Sequence, residues 1–464
     1  MEEVRQNKMG TMPIFHLIVS MSIPAILSMM VQALYNIVDS YFVSQISEDA
    51  LTAVSLVFPI QTMLIAVAVG TGVGLNSLIS RRLGENRAEE ANQAATHGLF
   101  LGLLNGLLFF LVGLCFSESF LRAFTSNPEI VSMGSAYMQV VCMFSIGVCV
   151  EVNIEKILQA TGNMLFPMLF QLVGAVGNIL LDPIFIFGMF GVPKFGVKGA
   201  AIATVLAQFL SMTVALLVLF LKKHEIQIRF HSFHPRWNII RNIYAVGLPA
   251  IVMQATGSVM VVGMNAILIG FTGTAVAVFG VYYKLQSFVF MPVFGLNQGL
   301  MPVMGYNYGA GKRSRLLSTV KIGCVVAAAI MGIGMVVFWL FPERLLGIFS
   351  ASASMLQIGV PALRTISLCF LPAAFGIIFS TTFQAVGDGL KSLIISMLRQ
   401  LVVLLPSAYL LSKVSLVAVW YSFPIAESVS LAASILFYIR LKKTTIHNME
   451  EQNSLPAGEI DSAD

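Results

Sequence analysis

The chain has 464 residues, of which 57% are hydrophobic and only 11% charged, and its mean hydropathy is +0.86. A water-soluble domain carries about 25% charged residues, so lipid rather than water must solvate most of this surface, and a soluble globular enzyme is excluded. The net charge of +5 points to nucleic acid only if Lys and Arg gather on one face; here they are spread along the chain in a pattern that follows the apolar segments.

Residues 1–13 are polar and mixed in charge, without the short apolar core and cleavage site of a signal peptide. The first apolar segment is therefore expected to remain as a span. Apolar runs between Gly, Pro and polar punctuation predict twelve helices, at 14–42, 51–78, 94–115, 131–156, 164–189, 197–221, 239–268, 275–302, 318–341, 355–383, 390–412 and 416–440. A span needs about 20 apolar residues, and the runs that exceed 25 are expected to tilt, bend or protrude. With the N-terminus placed in the cytoplasm, nineteen of the 27 Lys and Arg fall on the cytoplasmic side and five on the outer side. That bias is the positive-inside rule, and it puts both termini in the cytoplasm. The positive charge is an orientation signal, so no nucleic-acid partner is expected. Cys115, Cys142, Cys149, Cys324 and Cys369 all lie in apolar runs and read as small core hydrophobes.

An offset of 225 residues lays the chain on itself without a gap. Pro24 meets Pro249, Gly70 and Gly74 meet Gly295 and Gly299, Gly84 meets Gly309, Gly98 meets Gly323, Gln159-Ala160 meets Gln384-Ala385, and Gly162 meets Gly387. Six spans per half make both halves enter the membrane from the same side, so the repeats are parallel. The expected fold is an all-α polytopic membrane protein with twelve transmembrane helices in two parallel-repeat six-helix lobes. The lobes are 14–221 and 239–440, joined by a basic cytoplasmic linker at 222–238 and flanked by termini 1–13 and 441–464. The acidic tail after Asn448 is expected to be disordered. Two similar bundles facing a cleft suit alternating access.

An ionisable side chain in a span costs about 2.5–3.5 kcal/mol at a helix centre, which makes each one a candidate for function. In the first span Asp39 shares a stripe with Asn36, Tyr35 and, one turn further, Gln32. In the fifth span Asp182 has Asn178 at i−4, and Thr204 in the sixth lies at a similar depth. Both carboxylates sit roughly 5–10 Å below the outer surface by helical rise. Carboxylate, carbonyl and hydroxyl oxygens are hard ligands suited to Na⁺; two carboxylates in a low dielectric equally suit proton carriage. Pro24, in the same helix as Asp39, is a candidate bending point. Glu151 in the fourth span, Lys284 in the eighth and Glu427 in the twelfth are further polar residues of the spans and are candidates for lining a cavity or the second lobe. Glu155 lies at a helix end, and Arg399 is expected to snorkel to the inner surface. The sequence contains no GxxxxGK[ST] loop, HExxH, paired CxxC or GxSxG. Chemistry on a substrate is not expected, no cofactor is called for, and energy is expected from an ion gradient.

SIPAILSMMVQALYNIVDSYFV in the first helix, SRRLGENR after the second, LQATGN after the fourth and GNILLDPIFIFG in the fifth together resemble the multidrug and toxic compound extrusion (MATE) family, over residues 14 to 440. Asp39, Asn178 and Asp182 look like its DinF-type prokaryotic branch. The resemblance implies cation coupling, to H⁺ or Na⁺, at Asp39, Asp182, Asn178 and Thr204, with Tyr35 and Gln32 in the surrounding hydrogen-bond network. The NorM-type branch uses acids in the seventh and tenth helices, and 239–268 and 355–383 contain none. The resemblance implies a secondary antiporter that exports organic cations or drugs as a monomer in the plasma membrane. The rivals are a lipid-linked precursor flippase of the same superfamily, a major-facilitator solute importer and a non-transporting receptor or scaffold.

Overall fold

The computed structural model describes residues 7–231, 233–349, 351–447 and 449. Arg5 and, apart from Met449, the acidic tail after Asn448 lie outside the described residues. The described chain runs through α1 (Lys8–Thr11), α2 (Ile14–Ser44), α3 (Glu48–Gly84), α4 (Ala88–Arg122), α5 (Pro128–Met143), α6 (Ile146–Ala160), α7 (Leu165–Phe187), α8 (Val197–Leu221), α9 (Trp237–Leu268), α10 (Gly273–Gly309), α11 (Arg313–Leu340), α12 (Pro342–Gly347), α13 (Ala353–Ser367), α14 (Phe370–Ala385), α15 (Gly389–Met397), α16 (Leu405–Ser412), α17 (Leu416–Trp420) and α18 (Ser422–Leu441). A π-helical stretch, Leu398–Leu404, joins α15 to α16, and a second, Lys442–Ile446, follows α18.

Among the described residues ten helices are long and apolar enough to cross a membrane. The pairs α5–α6 and α13–α14 are bent by 44° and 46° at short breaks, and counting each as one span gives twelve. The two breaks recur within a residue of the 225 offset: α5 ends at Met143 and α13 at Ser367. Ser145, at the first break, donates its hydroxyl to Gly106 O at 3.3 Å.

The chain forms two compact units. Unit 1 comprises Met1–Met21, Ser77–Ala91 and Val259–Asp464; unit 2 comprises Ser22–Asn76 and Asn92–Ser258. In unit 1 the repeat is written in backbone geometry. A Cβ on Gly84 would strike the Tyr306 carbonyl, and a Cβ on Gly309 would strike the Arg81 carbonyl. Arg81 and Tyr306 are themselves 225 apart, so the ends of α3 and α10 cross reciprocally, backbone against backbone, as small residues allow. Gly162 and Gly387 close their helices with φ of +87° and +93°, a left-handed conformation that glycine takes without a side-chain clash. Unit 1 also holds α1: Met9 O accepts from Asn307 Nδ2 and Arg315 Nη2, both at 3.0 Å, and Gly10 O accepts from Lys312 Nζ at 2.9 Å. Cations thus satisfy the open carbonyl end of a short helix.

In unit 2 the basic linker is tied to α4. Gln227 N donates to Asn92 Oδ1 at 2.8 Å, and Arg236 N donates to His97 Nε2 at 2.9 Å. Phe233 packs edge-on to His97. Beside the candidate site lies an apolar cluster drawn from α2, α3, α4, α5, α7 and α8, including Val43, Val57, Leu121, Met138, Ile186 and Ala200.

The reciprocal crossing carries a prediction. Gly309→Ala forces a methyl group onto a carbonyl that cannot move without shifting a helix, and should lower stability by about 1–3 kcal/mol. Gly280, in the same helix, has open space where a methyl would stand, with nothing within 4 Å, and Gly280→Ala should leave stability unchanged or raise it. Thermal melting of the purified variants in detergent checks both.

Candidate functional site

Three helices of unit 2, α2, α7 and α8, bring together the residues singled out by the sequence. Asp182 lies inside α7, which continues through Pro183 to Phe187, and its side chain is 0% exposed. The helix does not end at the Asp-Pro pair. The Pro183 ring removes one N–H and so leaves the carbonyl four residues earlier, at Ile179, without its helical donor. Asn178, one turn below Asp182, is also buried. With its amide nitrogen facing the acid, it donates to Asp182 Oδ2 at 2.8 Å, and its oxygen accepts from Thr204 Oγ1 and from Thr204 N, both at 3.1 Å. Thr204 is carried by α8, which packs along α7.

Asp39 comes to the same place from α2, its carboxyl within hydrogen-bonding reach of Asp182. Tyr35, one turn earlier, reaches Thr204 with its hydroxyl and lies beside both carboxyl groups. Each acid keeps one buried oxygen, Oδ1, with no hydrogen-bond partner. Buried acceptors are normally satisfied. Two acids with an unpartnered oxygen each thus share one region with an amide, a hydroxyl and a phenol. The α2 helix runs unbroken through Pro24, and the division between units falls between Met21 and Ser22, just before it.

Two residues belong to this set that the stripe argument does not reach. Tyr137 on α5 is 2% exposed, faces Asp39, Tyr35 and Asp182, and accepts a hydrogen bond on its hydroxyl from Gln61 Nε2 of α3 at 3.0 Å. The available signal is a tyrosine and a glutamine inside otherwise apolar runs; neither has an acid within one helical turn, so neither falls on a stripe with one. Of the remaining stripe, Gln32 is half-buried, while Asn36 is exposed and engages through its carbonyl, which accepts from Ser40 Oγ at 2.9 Å.

The other candidates lie elsewhere. Glu427 of α18 is paired with Arg399 at 3.2 Å in unit 1. Arg399 therefore does not snorkel as expected. It sits in the π-helical stretch, whose extra residue per turn redirects side chains, and it meets an acid there. Lys284 is exposed and lies 6.0 Å over the Phe349 ring, a cation–π contact rather than an ion pair. Glu151 and Glu155 are both buried on α6. Lys156 pairs with Glu155 at 2.8 Å, and Glu155 is a buried hub rather than a surface residue at a helix end.

The chain matches the MatE family over residues 24–184 and again over 249–410, two segments at the spacing of the internal repeat. It is 26% identical, over 92% of its length and 94% of the relative's, to the multidrug export protein MepA of Staphylococcus saprophyticus. Its fold matches a MOP superfamily transporter from Pyrococcus furiosus, described as having a binding pocket of reverse polarity that suggests a different function; the TM-score is 0.89 at 29% identity, covering 97% of this chain and all of that one. A second match with the same TM-score, identity and coverage is an outward-facing multidrug resistance MATE family transporter.

The hydrogen-bonded core of the site generates a stability prediction. Thr204→Val keeps shape but removes the hydroxyl that Asn178 uses, and should cost about 1–3 kcal/mol; Thr204→Ser should restore most of it. Melting temperatures of the two variants decide the matter, and equal melting of the Val form and the parent would contradict the network.

Proposed function

The chain belongs to the MATE family of membrane transporters, and from that premise we propose that it is a secondary active antiporter, exporting organic cations and drugs in exchange for H⁺ or Na⁺. The observation that carries the reading is the pair of neighbouring acids, buried Asp182 and half-buried Asp39, each with one buried oxygen that has no partner. Burying such a pair is costly unless a positive charge joins it. In this scheme the coupling cation enters at Asp39, Asp182, Asn178 and Thr204. Its arrival neutralises the cluster, weakens the hold on a cationic substrate and favours bending of α2 near Pro24. The substrate leaves outward, the lobes exchange access, the ion leaves inward and a new substrate loads from the cytoplasm. The chain acts as a monomer in the plasma membrane with both termini in the cytoplasm, and it carries no cofactor and no enzymatic step.

MepA is named for multidrug export, which supports drugs as the substrate class. The reverse-polarity relative marks the alternative, another substrate class on the same fold, such as a lipid-linked precursor. A basic cavity of that kind is disfavoured by the pairing of Arg399 with Glu427.

The test is efflux of ethidium from vesicles containing the purified protein, under an imposed pH gradient or an imposed Na⁺ gradient. The parent should export under one of the two, which identifies the ion. Asp39→Asn should abolish export while melting as the parent does. Unchanged export by that variant would reject the reading.

A further inference from the structure

Unit 2 contains a second buried ionic cluster, away from Asp39 and Asp182. Glu155 Oε1 accepts from Lys156 Nζ and from Gln159 Nε2, both at 2.8 Å, and its Oε2 accepts from Gln171 Nε2 at 2.9 Å. Glu155 is thus filled. Glu151, one turn earlier on α6, is 8% exposed, and its Oε1 has no hydrogen-bond partner. The cluster holds two carboxyl groups against one ammonium, so with both ionised it buries an unbalanced negative charge, which a low-dielectric interior disfavours strongly.

The neighbours of Glu151 decide what completes it. From its own helix it faces Glu155 and Lys156, and from α8 it faces Ser211; α7 contributes the uncharged Gln171 beside Glu155. On the far side of α6, α3 and α4 present Leu64, Ala68 and Phe109. Ser211 has one hydroxyl proton, and it is already donated to Phe170 O at 2.8 Å. What Ser211 offers Glu151 is therefore a lone pair, which only a protonated carboxyl can use. A metal cation needs several oxygen ligands, and here one open carboxylate oxygen remains. A proton needs no more than that.

The cluster also lies in line with the first site. On α7, Gln171 is seven residues from Asn178, two turns along the same face, and about 16 Å from Asp182 by helical rise. On α8, Ser211 is likewise seven residues from Thr204. One polar face of the α7–α8 pair thus carries the Asp39–Asp182 site at one end and Glu151 at the other.

We propose that Glu151 is a second proton-carrying group of unit 2, donating to Ser211 Oγ when loaded, and distinct from the cation site at Asp39 and Asp182. The inference goes beyond the antiport reading and depends on it only in the transport arm of its test. The full chain, purified and reconstituted in vesicles, is measured by infrared difference spectroscopy between acid and alkaline buffer, in the protonated-carboxyl C=O region. Glu151→Gln should remove one band that Asp39→Asn and Asp182→Asn leave in place, and Ser211→Ala should shift that band without removing it. In ethidium export, Glu151→Gln should lose the pH dependence that the parent shows. An unchanged set of bands in a Glu151→Gln protein that melts as the parent does would overturn the proposal. Should Glu151→Gln fail to fold, an unshifted band in Ser211→Ala overturns it instead. Loss of export in Asp39→Asn, together with unchanged bands in Glu151→Gln, would leave the antiport reading standing while Glu151 is rejected.

Discussion

Two neighbouring carboxyl groups, Asp182 buried and Asp39 half-buried, are the constraint around which the candidate site of unit 2 is organised. Asp182 has no contact with solvent, Asp39 comes within its reach from another helix, and each leaves an oxygen unsatisfied. An apolar cluster of side chains from six helices packs beside them, which lowers the local dielectric and strengthens every charge interaction inside. The surrounding donors are arranged in a chain: Thr204 to Asn178, Asn178 to Asp182. Such a chain fixes Oδ2 of Asp182 and leaves Oδ1 without a partner. The same physics explains why the pair is carried by packed helices rather than loops. A site that changes charge in a low-dielectric interior must be held rigidly, or the helices would separate to let water in.

The repeat supplies the frame. Glycines 225 residues apart let the ends of α3 and α10 touch through their backbones, and the bends of α5–α6 and α13–α14 fall at matching positions. The two halves have nonetheless diverged in their polar content. The acid pair has no counterpart at the offset: Asp39 falls on Met264 and Asp182 on Ser407. Unit 1 instead holds the Arg399–Glu427 pair, in which each charge already has its partner. An ion pair and two acids with unpartnered oxygens are chemically different.

Much of this was legible in the sequence because lipid enforces it. Apolar runs must be helical, so span limits such as 197–221 and 239–268 fall within a few residues of α8 and α9. Asp39, Asp182, Asn178 and Thr204 stood out because polar atoms in hydrocarbon need a reason. Other features were not legible, each for a physical cause. Tyr137 and Gln61 have no acid within a turn on their own helices and read as ordinary members of apolar runs. The π-helical stretch at Leu398–Leu404 depends on tertiary packing, so the turn of Arg399 toward Glu427 could not be read from its place near a helix end. Glu155 was placed at a helix end, but Lys156, Gln159 and Gln171 converge on it only once α6 and α7 pack.

The central claim is that Asp39 and Asp182 act together as one receptor for a small cation. Equilibrium cation binding to the purified protein tests it most directly, counting the protons taken up in a pH jump and the radioactive Na⁺ retained. The double variant Asp39→Asn/Asp182→Asn should bind fewer cations than the parent in at least one of the two counts. Identical counts in both, from a variant that melts as the parent does, would contradict the account.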